Sequence, residues 1–125
     1  MENSGTILVI EDEEMVLDVT SSMLQNLGYR VLAARNGEEA LRIADSHDGQ
    51  IDLALLDIIL PDMGGKDIYP RLLSSRPNLR VIVCSGYTLN GPAQEILKQG
   101  AQGFIQKPFT MAALSEKLSA TIDLK

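Results

Sequence analysis

The sequence predicts a doubly wound α/β domain, a five-stranded parallel sheet with helices on both faces, and three observations carry that expectation. Short apolar, β-branched segments without polar alternation recur five times, as in strands covered on both sides. Segments with apolar residues at three- and four-residue spacing separate them, as in helices with one buried face. Every connection is short, which implies right-handed βαβ crossovers.

The elements follow in order. TILVIE (6–11) is a buried strand, and a helix over 13–27 follows it. The apolar stripe of that helix is carried by Met15, Val16, Val19, Met23, Leu24 and Leu27, and Gly28 caps its end. YRVLAA (29–34) is the second strand. Asn36 is the N-cap of a second helix, with Glu38 and Glu39 in its first turn, a stripe of Ala40, Leu41, Ile43 and Ala44, and an end near 47–49. IDLALLD (51–57) is the third strand, and the loop IILPDMGG leads to a helix at about 66–75 whose early turn Pro70 distorts. LRVIVC (79–84) is the fourth strand. Pro92 fits the first turn of a helix ending at Gly100, GFIQK (103–107) is the fifth strand, and Thr110 caps a last helix running to about 122.

Composition bounds what such a domain can do. With 125 residues, 45% hydrophobic and 22% charged, the chain reads as one globular domain over 1–125. Its longest apolar runs, ILVI and LALL, fall far short of the ~20 residues that span a bilayer, and no signal peptide is legible, so no membrane contact by this domain is expected. One Cys and one His exclude an internal disulfide and a typical structural zinc site, which makes the cytoplasm the expected compartment. The net charge of -6 argues against direct binding to nucleic acid. That charge is uneven: residues 1–62 hold 13 acids and 3 bases, whereas residues 63–125 hold 4 acids and 8 bases.

In doubly wound sheets, ligands bind beyond the carboxyl ends of the strands. Here those ends carry Glu11 and Asp12 (first strand), Asp57 (third), Ser85 (fourth) and Lys107 (fifth). If the first and third strands are neighbours, three carboxylates converge, and at ~4 Å and an effective dielectric of ~20 each pair costs about 4 kcal/mol. A hard divalent cation offsets such repulsion, and Mg²⁺ suits one or two carboxylates while leaving room for phosphoryl oxygens. Lys107 adds a point charge and Ser85 a hydroxyl donor, a set that fits a phosphoryl group on or beside Asp57. Taken singly, the residues have plainer readings. Asp12 can cap the first helix, Ser85 can be a turn residue, Lys107 a solvated surface lysine, Phe104 and Cys84 core residues, and His47 an exposed residue or dipole partner at a helix end. Only their joint placement at strand ends singles them out.

VIEDEE (9–14), LLDIILPDMGG (55–65), VIVCSGYT (81–88) and GFIQKPF (103–109), in this order and spacing, resemble the receiver domain of two-component response regulators, over essentially the whole chain. The resemblance implies the flavodoxin-like sheet order 2-1-3-4-5 and a cis Lys107–Pro108 bond. It implies that Asp57 is the phosphoacceptor, charged by a histidine kinase or a histidine phosphotransfer domain. It implies Mg²⁺, with Mn²⁺ as a substitute, bound by Asp12, Asp57 and the backbone carbonyl of Ile59, with Glu11 acting through a metal-bound water. Lys107 is then the partner of a phosphoryl oxygen, and Ser85 and Phe104 are the switch pair that alters the surface of helix four, strand five and helix five. By the same resemblance, Ile59 and Tyr87 influence access of hydrolytic water; both are large, so slow autodephosphorylation is expected.

Other classes are served less well. A phosphorylation-independent interaction module has no need of the intact acidic set, Ser85 and Lys107. A dehalogenase-type phosphatase requires a DxD where IEDEE stands, a dinucleotide-binding domain requires GxGxxG, and a flavodoxin requires a Ser/Thr-rich phosphate loop. The chain ends after the fifth helix, so it is expected to be a stand-alone receiver or one excised from a larger protein. The segments GTILVIEDEEMV and CSGYT resemble receivers of hybrid sensor histidine kinases. The output partner is not legible.

Overall fold

The computed structural model describes residues 5–86 and 91–122, apart from the side chains of Lys66 and Pro92. Its elements alternate strictly: β1 (Thr6–Ile10), α1 (Glu14–Asn26), β2 (Arg30–Ala34), α2 (Gly37–Ser46), β3 (Leu53–Asp57), α3 (Gly65–Ser75), β4 (Arg80–Ser85), α4 (Pro92–Lys98), β5 (Gly103–Gln106) and α5 (Met111–Ile122). All neighbouring strands are parallel, as expected from the pattern, in the order β2-β1-β3-β4-β5 that the resemblance implies.

The strands lack polar alternation because each face of the sheet has its own core. Leu8, Ile10, Ala54, Leu56, Val81 and Val83 face α2, α3 and α4, meeting Ala40, Ile68 and Ile96. The intervening residues Ile7, Val9, Leu53, Leu55, Ile82 and Cys84 face α1 and α5, meeting Leu17, Leu24, Leu114 and Leu118. Every residue of β3, the central strand, is buried, Asp57 included. Cys84 is a core residue, and burial pushes its thiol up to about 12.

Local signals placed most boundaries. The Asn36 side chain accepts the Glu39 N–H at 2.8 Å, and Thr110 Oγ1 accepts the Ala113 N–H at 3.0 Å. Gly28, with φ 99°, turns the chain out of α1. The Lys107–Pro108 bond is cis. Pro70 lies inside α3, as expected, and faces solvent.

The stripe expected for α1 also needs correction. Its buried residues are Leu17, Thr20 and Leu24, while Met15 is 78% and Val19 50% exposed. Helical spacing identified an apolar face, but that face includes a flank that no other part of the described chain covers. Among the described residues, no helix is long and apolar enough to cross a membrane.

At the opposite end of the sheet from the candidate site, Arg76 ties α3 to α2. Its Nε, Nη2 and Nη1 donate to the carbonyls of Ala44, His47 and Gly49 at 2.7, 2.6 and 2.7 Å, filling acceptors that a helix end leaves unpaired. Arg76→Ala is expected to lower unfolding stability by about 2–3 kcal/mol, read as a reduced urea midpoint at unchanged slope. An unchanged midpoint would show the clamp to be energetically idle.

Candidate functional site

Strand register assembles the site. Ile10 pairs with Ala34 on one side and Leu56 on the other, so the next residues, Glu11 and Asp57, sit side by side at the carboxyl edge. Ser85 pairs with Gln106, which brings Lys107 to the same edge. The backbone fixes these ends: the Glu11 N–H donates to Ala34 O at 3.0 Å and the Lys107 N–H to Ser85 O at 2.7 Å.

The expected carboxylate convergence is present. One oxygen each from Glu11, Asp12 and Asp57 lies within 4.8 Å of the others; Glu11 and Asp57 are buried and Asp12 is exposed. Asp12 is not the cap of α1, since the N-cap is Glu13 and no side-chain hydrogen bond caps that end. Glu11 instead accepts the Glu13 N–H through Oε2 at 3.1 Å, which leaves the Asp12 carboxylate facing the cluster. Lys107 Nζ is 2.8 Å from Glu11 Oε1 and 3.4 Å from Asp57 Oδ2, with only 16% of its side chain exposed, so it is not a solvated surface lysine.

Electrostatics follow from burial. Burial first, and then the negative charge of Glu11, raise the Asp57 carboxyl to about 6, against the opposing pull of the Ile59 N–H and Lys107. Burial pulls the Lys107 ammonium down, but its hydrogen bond to Glu11 and the charges of Asp57 and Glu11 outweigh this and leave it raised. One ammonium therefore faces two buried carboxylates and an exposed one. This donor set is all oxygen, hard and over-negative, and it could hold a metal ion.

The remaining residues take up distinct places. Ser85 is buried at the end of β4. Ile59 follows Asp57 in the β3–α3 loop; its N–H donates to Asp57 Oδ1 at 3.2 Å, it pairs with Gly64 across the loop, and its side chain is 59% exposed. Phe104 is half-buried on β5 against the core layer of α2, α3 and α4. Tyr87 lies outside the described residues.

Two features were not read from the sequence. The first is a groove of about 750 Å³ beside Asp57, walled on the α1 side by Met15, Val16, Val19 and Met23 and opposite them by Phe109. The signal is the α1 stripe itself, whose spacing does not separate a core face from an open one. The second is Asp62, whose two carboxylate oxygens accept the Gly37 and Glu38 N–H groups at 2.8 and 2.9 Å.

Comparison with known proteins agrees with this geometry. The sequence pattern of the response regulator receiver domain matches residues 7–119. The sensor kinase CckA of Brucella abortus is 30% identical over 123 residues, which are 98% of this chain and 13% of that protein. The chain spans less than a third of the length of the first relatives it matches. The receiver domain of sensor histidine kinase PA1611 from Pseudomonas aeruginosa, solved with a magnesium ion coordinated in the active site cleft, superposes with a TM-score of 0.86 at 27% identity, covering 98% of this chain and 100% of that one. A response regulator from Burkholderia pseudomallei with a phosphorylated aspartic acid superposes with a TM-score of 0.81 at 27% identity, covering 95% of this chain and 66% of that one.

Proposed function

This chain belongs to the response regulator receiver domain family of two-component signalling, and on that premise we propose that Asp57 is the residue that takes the phosphoryl group. The observation that carries this reading is the convergence of Glu11, Asp12 and Asp57 at one sheet edge, with Lys107 as the cation reaching both buried carboxylates. Residues 1–125 act as a single receiver unit, supported by two core layers that run along the sheet.

In the transfer, the phosphorus–nitrogen bond of a phosphohistidine breaks while an Asp57 oxygen bonds to phosphorus, and the departing imidazole keeps the electron pair. Little covalent help is needed from the protein; positioning and charge neutralisation are. The Ile59 N–H orients Asp57 by holding Oδ1. Lys107 stands on the Oδ2 side, placed to take a phosphoryl oxygen. Asp12, Asp57 and the Ile59 carbonyl would hold Mg²⁺ or Mn²⁺, with Glu11 at one water's remove, and the ion supplies the charge that lets an anionic phosphoryl group approach a carboxylate cluster. Ser85 and Phe104 transmit the change to the surface of α4, β5 and α5.

The partner is a histidine kinase or a histidine phosphotransfer domain. The exposed apolar flank of α1 beside Asp57 fits an amphipathic helix that delivers its histidine into the groove. Val19→Glu is expected to slow transfer from a competent kinase at least tenfold, and to slow labelling by a small phosphodonor much less. Equal slowing of both would remove α1 from the docking surface. The domain acts on its own phosphoryl group and not on a separate substrate, and the buried free thiol of Cys84 supports a cytoplasmic setting.

Autodephosphorylation is slow in this reading, because the exposed Ile59 side chain stands at the groove mouth and offers water no hydrogen-bond partner. Ile59→Asn is expected to shorten the phosphoryl lifetime several-fold, measured as decay of the acid-stable adduct mass; an unchanged lifetime would clear Ile59 of that role. The test of the reading as a whole is incubation with phosphoramidate, with and without EDTA. A Mg²⁺-dependent adduct on Asp57 supports it, and its failure to form with any donor, kinases included, sinks it.

A further inference from the structure

The β3–α3 loop is held along its length, by the pairing of Ile59 with Gly64, by the Ile58 N–H on Cys84 O at 3.4 Å, and by side chains. At its start the Ile59 N–H bonds to Asp57, and Leu60 is buried in the core layer of α2, α3 and α4. At its tip, Asp62 reaches across to the first turn of α2, accepting the Gly37 N–H through Oδ1 at 2.8 Å and the Glu38 N–H through Oδ2 at 2.9 Å. Asn36 and Asp62 thus share the open N–H groups of that helix: Asn36 takes the Glu39 N–H and leaves the two before it to Asp62. Met63, the next residue, lies on Gly37 so closely that a Cβ there would stand 2.5 Å from Met63 Cγ. Any side chain at position 37 would have to displace Met63.

We infer that Asp62 is a positioning residue for metal binding: by capping α2, an element that contributes no group to the site, it fixes the loop segment from which Ile59 presents its backbone. This rests on the reading of Ile59 as a ligand and extends it to a side chain that touches neither ion nor phosphoryl group. A carbonyl cannot be tuned by its side chain, so its direction is set by where the loop is anchored. Asp62 ties the tip to α2 through both of its carboxylate oxygens. The same two N–H groups also hold the Asp62 carboxyl below the usual carboxylate range, so it caps as an anion. α2 is itself tied back: the Arg35 N–H bonds to Glu39 at 2.7 Å, and the Arg35 guanidinium pairs with Glu14 of α1 at 2.8 Å. The β2–α2 connection thereby braces the loops on both sides of it.

The test is calorimetric titration of the metal-free domain with Mg²⁺, well below the melting temperature, beside amide exchange at Ile59. Asp62→Ala is expected to raise the Mg²⁺ Kd about tenfold, the scale of losing a group that orients a ligand, and to speed exchange of the Ile59 N–H. Asp62→Asn keeps one carbonyl acceptor and is expected to fall between Asp62→Ala and wild type. Gly37→Ala, which leaves the carboxylate in place but displaces Met63, is expected to weaken Mg²⁺ binding in the same direction and carries the test should Asp62→Ala not fold. Unchanged Mg²⁺ affinity in the folded variants overturns the inference even if melting temperatures fall, since a purely structural cap would lower stability alone. A wild-type domain that binds no Mg²⁺ overturns the reading of the site and this inference with it.

Discussion

Asp57→Asn is expected to gain no phosphoryl mass from phosphoramidate with Mg²⁺, under conditions where the wild-type domain is labelled. The amide oxygen is a poor nucleophile and the substitution removes a carboxylate from the cation site, so the loss is complete. A labelled Asp57→Asn protein would move the acceptor to another residue. The same variant has a second, opposite signature in the metal-free state. Burial and Glu11 raise Asp57 from 3.8 to about 6, so between those values the folded chain binds more protons than the unfolded one. The stability linked to that proton is fully present below the unfolded pKa and is lost as pH rises through about 6. At pH 7.5 in EDTA the wild type therefore holds an ionised, partly desolvated carboxylate, and Asn removes it. Discounting for solvent screening, Asp57→Asn is expected to be more stable by about 1–2 kcal/mol at pH 7.5, a gain that disappears near pH 4. Urea denaturation at the two pH values reads this directly. A gain independent of pH would mean that Asp57 is not the group that titrates.

Lys107→Ala is expected to produce the largest loss of stability in the site. Glu11 and Asp57 side chains are 5% and 8% exposed, and Lys107 is the cation both of them meet. Removing one partner from a buried ion pair strands the other charge, at about 3–5 kcal/mol. The hydrogen bond that Glu11 accepts from the Glu13 N–H places the expected value at the low end, about 3 kcal/mol in EDTA. Saturating Mg²⁺ is expected to restore much of this loss while the response to phosphodonor stays impaired, because a divalent ion substitutes for the lost charge but not for its position beside Asp57 Oδ2. A urea midpoint in EDTA equal to that of wild type would show that the buried carboxylates do not depend on this lysine for neutralisation.

The fold was legible because its signals are local. Apolar strands such as LALLD, an Asn36 cap and a Thr110 cap each declare themselves within a few residues. The candidate site was legible as a group because parallel βαβ topology sends every strand's carboxyl end to one edge, so Glu11, Asp57, Ser85 and Lys107 needed only to be read at the strand ends. What escaped lies in relations between distant segments. Asp62 in LPDMGG looks like any turn acid, and the N–H groups it caps are 25 and 24 residues away. Met15 and Val19 have the spacing of a core face, and spacing alone does not say whether anything covers it. Asp12 shows the converse: it has the position of a cap, but Glu13 takes that place and the acid is left to the cluster.

The strand order also gives the sequence's charge imbalance a direction in space. Residues 1–62, with 13 acids and 3 bases, build β2, β1 and β3, and residues 63–125, with 4 acids and 8 bases, build β4 and β5. Among the described residues β3 and β4 are neighbours and no strand crosses back, so the strands of the two halves lie on opposite sides of one line down the sheet. The ion pair of Lys107 with Asp57 joins the base-rich side of that line to the acid-rich side. Uneven charge of this kind acts on an approaching protein at long range, so the encounter rate, far more than the lifetime of the complex, is expected to depend on ionic strength.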